Sequence, residues 1–333
     1  MRKLLKGLLF ALIVALLIGA GWCIRYPYHY LPLKSPPMQF SISAGSTLRS
    51  ASQQMVEAGV LSAAFPFEVL ARIFGDPRSI KAGNYEIEKG TTPLKLMRKI
   101  TRGDFTAFAI TFVEGWTFRQ MRKTLDDHPA LRHDTQGLPD NEVLQRLGLE
   151  QPSAEGWFFP NTYHFVQGVS DLNILRRSYQ LMEKHLAVQW QQRAPGVSLT
   201  SPYEALILAS IIEKETGKAV ERSTISAVFL NRLRLGMRLQ TDPTVIYGIG
   251  ESFDGNLRKQ DLLADGPYNT YTRAGMPPTP IAMPGLASLR AALNPARTDA
   301  LYFVAKGDGS SHFSRSLEEH DRAVTKYQRS GKR

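Results

Sequence analysis

The chain has 333 residues, a formal net charge of +11 at pH 7 and a single cysteine. One cysteine excludes an intrachain disulfide framework and a cysteine-built metal site. The 41 Lys and Arg residues are scattered and no basic–aromatic signature accompanies them, which argues against nucleic acid as a partner. Anionic lipid head groups and carboxylate-bearing wall peptides suit the charge better.

Residues 1–6 carry Arg2, Lys3 and Lys6 and read as a cytoplasmic tail. Gly7 to Ile24 is an uncharged, mainly apolar run, long enough to cross a bilayer and longer than the usual apolar region of a cleaved signal peptide. We therefore expect an uncleaved transmembrane anchor over residues 7–24, with the rest of the chain outside the cytoplasm. Arg25 and Lys34 reduce the charge asymmetry, and Trp22 is too bulky for lipoprotein processing at Cys23. Residues 25–39, rich in proline and aromatics, form a juxtamembrane linker whose Tyr26, Tyr28 and Tyr30 suit the lipid interface.

A motif then recurs. Ile42-x-x-Gly45-x-Thr47-Leu48 returns as Ile87-x-x-Gly90-x-Thr92-Pro-Leu94 and as Phe112-x-x-Gly115-x-Thr117-Phe118. Alternating apolar residues precede each copy (Phe40/Ile42, Tyr85/Ile87, Phe108/Ile110/Phe112), so each predicts a strand, a glycine turn, a threonine cap and a helix. The predicted helices pack through Leu48, Ala51 and Met55, through Leu94, Met97 and Ile100, and through Phe118, Met121 and Leu125. The boundaries predict a small module over 40–104 and a larger domain over 105–333. The module's role is scaffold or glycan binder, and the lack of a plainly surface-directed aromatic cluster favours the scaffold.

The larger domain holds an almost wholly apolar segment, Ala205 to Ile212, introduced by Ser201-Pro202-x-Glu204 and followed by Gly217. A hydroxyl cap, a proline in the first turn and a glutamate for a capping box predict a buried helix that stops near Gly217. Glu213 falls in its last turn. Burial and the negative end of the helix dipole both favour a protonated carboxyl there, the state a general acid needs. The other reading is a helix-terminal glutamate paired with Lys214 or a nearby arginine. A second helix is expected from Arg222 to Leu235, then a polar block with Gln240, Asp242 and Tyr247, in which Asp242 precedes Pro243 and suits a helix N-cap. Tyr268, Asn269 and Tyr271 lie between glycine–proline turns, where aromatic faces and amides can line a sugar cleft or pack as core. Glu155 and Tyr163 flank an aromatic–proline block and either frame that cleft or brace it.

Other chemistries fail. His128 and His133 lie off a common helical face and no His-Glu-x-x-His is present, so no metal is expected. The serine-esterase elbow and the Ser-x-x-Lys of transpeptidases are missing. Gly307-Asp-Gly309 reads as a hairpin turn rather than a phosphate loop. No cofactor is implied.

Several separated blocks together resemble the YceG-like endolytic murein transglycosylases. They are Glu155-Gly-Trp-Phe-Phe-Pro160-Asn-Thr-Tyr163, Ala209-Ser-Ile-Ile-Glu213-Lys-Glu215, Val228-Phe-Leu-Asn231-Arg232-Leu and Leu239-Gln-Thr-Asp-Pro-Thr-Val-Ile-Tyr-Gly248. Tyr268-Asn-Thr-Tyr271 with the proline loop Gly275 to Gly285, and Leu301-Tyr-Phe-Val304, complete the set. Asn161 departs from the aspartate common in the family, which removes any catalytic expectation from that position.

The resemblance implies an α+β fold: an N-terminal transmembrane helix, a small LysM-like strand/helix module, and a larger catalytic domain with a buried catalytic helix. It implies an inner-membrane lyase that cuts within nascent peptidoglycan glycan strands and terminates their elongation, with peptidoglycan polymerases and penicillin-binding proteins as partners. Glu213 would be the single acid/base, protonating the oxygen between N-acetylmuramic acid and N-acetylglucosamine and closing the 6-hydroxyl onto C1 as a 1,6-anhydro end. Gln240, Asp242, Tyr247, Asn269, Tyr271, Glu155 and Tyr163 would bind substrate. Two alternatives stay open: a hydrolytic muramidase using Glu155, Glu215 or Asp242 as second carboxylate, and an anchored wall-binding scaffold without turnover.

Overall fold

The computed structural model describes residue 21 and residues 24–33, 36–43, 45–76, 78–105 and 108–329. Apart from residues 21 and 24, the anchor expected over 7–24 lies outside the described residues, as do Trp22 and Cys23. Among the described residues no helix is long and apolar enough to cross a membrane. Two compact units are present. The first takes the chain up to Ala109 together with His164–Val169, and the second takes Ile110–Tyr163 and the chain from Ser170 onward.

In chain order, the first unit contains β1 (Met38–Ile42), α1 (Leu48–Glu57), α2 (Ala64–Phe74), β2 (Gly83–Ile87) and α3 (Pro93–Arg102). β1 and β2 pair antiparallel, from Met38 opposite Ile87 to Ile42 opposite Gly83. Their alternation sends Phe40, Ile42, Tyr85 and Ile87 into a core shared with Leu48, Ala51 and Met55 of α1 and Leu96, Met97 and Ile100 of α3. The repeated motif acts as its residue types dictate. Gly45 and Gly90 take φ of 77° and 85°, which L side chains rarely adopt. The Thr47 and Thr92 hydroxyls then accept from the Ser50 and Lys95 amides to start α1 and α3. On α2, Phe65 (71% exposed) and Phe74 (51%), nine positions apart, face solvent.

The chain passes between the units within β3 (Phe108–Thr111) and β4 (Thr162–Phe165), which pair with each other. The second unit carries α4 (Phe118–Asp126), α5 (Asp140–Leu147), α6 (Asp171–Gln191), α7 (Pro202–Glu215), α8 (Arg222–Arg234), α9 (Asp242–Ile249), α10 (Lys259–Leu263) and α11 (Leu286–Leu293). It ends with the antiparallel hairpin of β5 (Tyr302–Ala305) and β6 (Ser311–Ser314), turned through Gly307–Gly309 as expected, and α12 (Leu317–Val324). The architecture is mixed α+β, with three two-stranded sheets among the described residues.

The centre of this unit is α7. Residues Ala205 through Ile212 are all buried, and α6, α8, α9 and α11 pack around them. Each large aliphatic chain buried there contributes about 2 kcal/mol. At its start the Ser201 hydroxyl accepts from the Glu204 amide at 3.2 Å. The Glu204 carboxylate accepts from Thr200 N at 2.6 Å, one residue earlier than a capping box requires. The helix ends at Glu215 because Thr216 is extended, two residues before the predicted glycine stop. Likewise Thr241 occupies the N-cap position of α9, and Asp242 is its first helical residue.

Candidate active site

Glu213 sits in the last turn of α7 with its side chain only 5% exposed. Its Oε1 accepts from Nη2 of Arg222 at 3.1 Å, and its Oε2 accepts from the Gly285 amide at 2.8 Å. Arg222 opens α8 and is locked in turn, its Nε donating to the Ser288 hydroxyl at 3.1 Å. Gly285 is the N-cap of α11, so the positive end of that helix also points at the carboxylate. The expectation of a carboxyl kept protonated by burial and by its own helix leaves out these two neighbours. A guanidinium and a helix N-terminus suit a carboxylate, and the arginine pairing foreseen as the alternative is present.

The turn between β3 and α4 closes over this pair. Gly115 N donates to Met283 O at 2.9 Å, and Met283 N donates to Trp116 O at 2.7 Å. From α7, Lys214 Nζ donates to Gly115 O at 3.3 Å. A Cβ built on Gly115 would lie 3.8 Å from Glu213 Cγ. The turn therefore rests on Glu213, and it lays Glu114 across Gly285 so closely that a Cβ there would overlap the Glu114 carboxylate. Partial desolvation raises the carboxyl of the largely exposed Glu114 above the usual range, the charge of Glu213 raises it further, and Arg222 opposes them.

The remaining predicted site residues divide into two further groups. On another side of α7, Glu215 accepts a very short hydrogen bond from the Thr241 hydroxyl. Its carboxyl is pushed up to about 7, mainly by burial, with Asp242 adding to the rise. Asp242 accepts from the Tyr271 hydroxyl at 2.5 Å, and Gln240 Oε1 accepts from Arg232 at 3.2 Å. Gln240 has φ 51°, the one positive value at a non-glycine residue among the described residues, a strain of the kind that clusters at functional sites. Glu215, Arg232, Gln240, Asp242 and Tyr271 line a groove of about 360 Å³ that also includes His320.

Elsewhere, Glu155 is buried, accepting from Phe118 N at 3.0 Å and from the Tyr247 hydroxyl at 3.1 Å. Burial pushes its carboxyl up to about 7. Tyr247 meets Tyr268 edge to face, ring centres 4.9 Å apart.

Two predicted binders have their polar atoms engaged within the fold. Asn269 donates to the carbonyls of Asp261, Leu262 and Ala264 at the end of α10, and its Oδ1 accepts from Tyr271 N. It braces the loop that carries Tyr271. The buried Tyr163 donates to Phe159 O at 2.6 Å and packs its ring on Phe112. Asn161 accepts from Phe112 N through its carbonyl.

Asp126, His133 and Asp171 bring potential ligand atoms within 4.8 Å of one another. Asp171, however, already accepts from the amides of Asp134, Thr135 and Leu172 and from the Thr135 hydroxyl. Its lone pairs are committed to bracing the loop before α5, a poor setting for a metal ligand.

Sequence reasoning foresaw an arginine beside Glu213 without identifying Arg222, and it missed Glu114. Arg222 carried a signal, an arginine opening the helix that follows Glu213. Glu114 carried a fainter one: the residue before the motif glycine is Ala44 or Lys89 in the first two copies and acidic only in the third.

The comparisons with known proteins agree with the residue blocks. The model of the YceG-like family matches residues 40–326. An endolytic murein transglycosylase of Bacillus subtilis is 32% identical over 309 residues, covering 87% of this chain and 84% of the relative. One from Streptococcus pneumoniae is 24% identical over 95% of this chain, which spans 64% of that longer protein. A crystal structure of a YceG-like protein from Listeria monocytogenes superposes with a TM-score of 0.53 at 29% identity, covering 86% of this chain and 98% of that one. The chain belongs to the YceG-like family.

Proposed function

We propose that this chain is an endolytic lytic transglycosylase that cleaves the bond between N-acetylmuramic acid and N-acetylglucosamine within nascent peptidoglycan strands. The observation that carries the reading is Glu213, a buried carboxylate clasped by Arg222 and the α11 N-terminus in a family with relatives named endolytic murein transglycosylases. In its acid form Glu213 gives its proton to the glycosidic oxygen as the C1–O bond breaks. The carboxylate so formed is the species that Arg222 and the Gly285 amide hold best, so these donors favour the proton transfer and the charge distribution that follows it. The same carboxylate then takes the proton from the muramic 6-hydroxyl as O6 bonds to C1. The proton count closes on one residue, and the product is a 1,6-anhydro end.

A hydrolytic muramidase would need a second carboxylate to activate water. The sequence candidates for that role have other partners: Glu155 holds Phe118 N and Tyr247, Glu215 holds Thr241, and Asp242 holds Tyr271. This favours the lytic route. In the same reading residues 7–24 anchor the chain in the inner membrane, with the N-terminus cytoplasmic and the remainder periplasmic. Residues 40–104 are a LysM-like module, a reading supported by their strand–helix–helix–strand order. Residues 105–333 form the catalytic domain, and Gln240, Asp242, Tyr247 and Tyr271 address the sugar. The enzyme acts beside peptidoglycan polymerases and penicillin-binding proteins and sets strand length. The test is the chemistry of the new ends after digestion of uncrosslinked glycan by the fragment 25–333. Anhydro-muramic ends are expected; ordinary reducing ends would make the enzyme a hydrolase.

A further inference from the structure

Glu114 is the charged neighbour of Glu213 that this mechanism has not used. It belongs to a turn zipped to the loop before α11 by two backbone hydrogen bonds and resting on Glu213 itself. The absence of a side chain at Gly285 is what lets its carboxylate approach, since any Cβ there would overlap it. Gly285 has an ordinary φ of −79°, so the turn chemistry does not demand a glycine. The residue thus leaves room for one carboxylate while its amide binds another.

We propose that Glu114 is a positioning residue of this site: its carboxylate, laid over Gly285, opposes the Arg222 charge that clasps Glu213 and so sets the alkaline limb of the cleavage rate. The inference rests on the function proposed above. Arg222 and the α11 N-terminus attract the charge that forms in the first step, and a second negative charge beside them tempers that attraction. Partial burial and the Glu213 charge raise the Glu114 carboxyl while Arg222 lowers it, so the charges of the three groups act on one another.

The other charges near α7 are directed elsewhere. Lys214 reaches Gly115 O, Glu215 bonds to Thr241, Asp242 to Tyr271, and Tyr247 of α9 to Glu155. Glu114 is exposed, so solvent weakens the coupling, and the effect belongs at the low end of what a nearby charge produces. Glu114 acts through Glu213 and is a positioning residue.

The test is the pH–rate profile of cleavage by wild type, Glu114→Gln and Gly285→Ala, with melting curves to verify folding. Removing the Glu114 charge leaves Arg222 unopposed, so cleavage should begin to fall off at lower pH. The alkaline limb of Glu114→Gln should move down by about one pH unit, with measurable turnover kept in acid. Gly285→Ala, which displaces the Glu114 carboxylate without removing any charge, should move the limb the same way, and Glu114→Asp should restore part of it. An unmoved limb, or an equal loss of rate at every pH, overturns the inference. Absence of cleavage by wild type would instead overturn the functional reading.

Discussion

At the scale of single residues, the second unit concentrates buried acids, and their costs differ with pH. Glu215 is raised to about 7 from an ordinary value near 4.5, mainly by burial. A carboxyl raised in the folded state binds its proton more tightly there than in the unfolded chain. Stability is therefore fullest below the unfolded value and declines as pH rises toward 7, by a few kcal/mol for each such group. Glu155, also raised to about 7, acts in the same direction. Glu215→Gln keeps an acceptor for Thr241 and removes the buried charge. Its melting temperature should match wild type near pH 4 and exceed it above pH 7, a difference that thermal scans across that range will reveal. Equal melting temperatures at alkaline pH would mean that Glu215 is not held in a desolvated site.

At the scale of elements, local signals in the sequence carry a long way. The strand–glycine–threonine–helix motif places β1, β2, α1, α3 and α4, because each step is a local choice: alternation, a left-handed turn, a hydroxyl cap. The same holds for α7, whose Ser201 cap and apolar run put Glu213 in a last, buried turn. Ser201→Ala should destabilise the fold by about 1 kcal/mol with cleavage retained, measurable as a lower denaturant midpoint. A loss of activity in a protein that remains folded would mean that the helix start, 12 residues from Glu213, communicates with the site. What the sequence hides is which elements meet. Arg222 is only nine positions from Glu213, yet its guanidinium matters because α8 turns back along α7 and Ser288 of α11 fixes its far side. Glu114 lies 99 positions from Glu213, and backbone pairing with Met283 brings it there. Tyr163 and Asn269 show a different limit. Their residue types suit sugar binding, and the fold also engages them, Tyr163 with one backbone carbonyl and Asn269 with three, which composition does not reveal.

At the scale of the whole molecule, every group of the candidate site belongs to the second unit. The first unit contributes a closed apolar core and the aromatic exposures of α2. A fragment of residues 105–333 should therefore still cut solubilised glycan, at reduced rate, provided circular dichroism shows it folded. A folded fragment with no activity would mean that the first unit helps build the site.

The central claim is that Glu213 moves the proton. Glu213→Gln keeps size and an acceptor but removes the transferable proton, so glycan binding should survive while turnover falls by about 10⁴-fold or more, because one residue serves both half-steps. The decisive measurement is mass spectrometry of uncrosslinked glycan digested by wild type and by folded Glu213→Gln. The account predicts 1,6-anhydro-muramic ends from wild type and essentially none from the variant; near wild-type turnover by Glu213→Gln would contradict it.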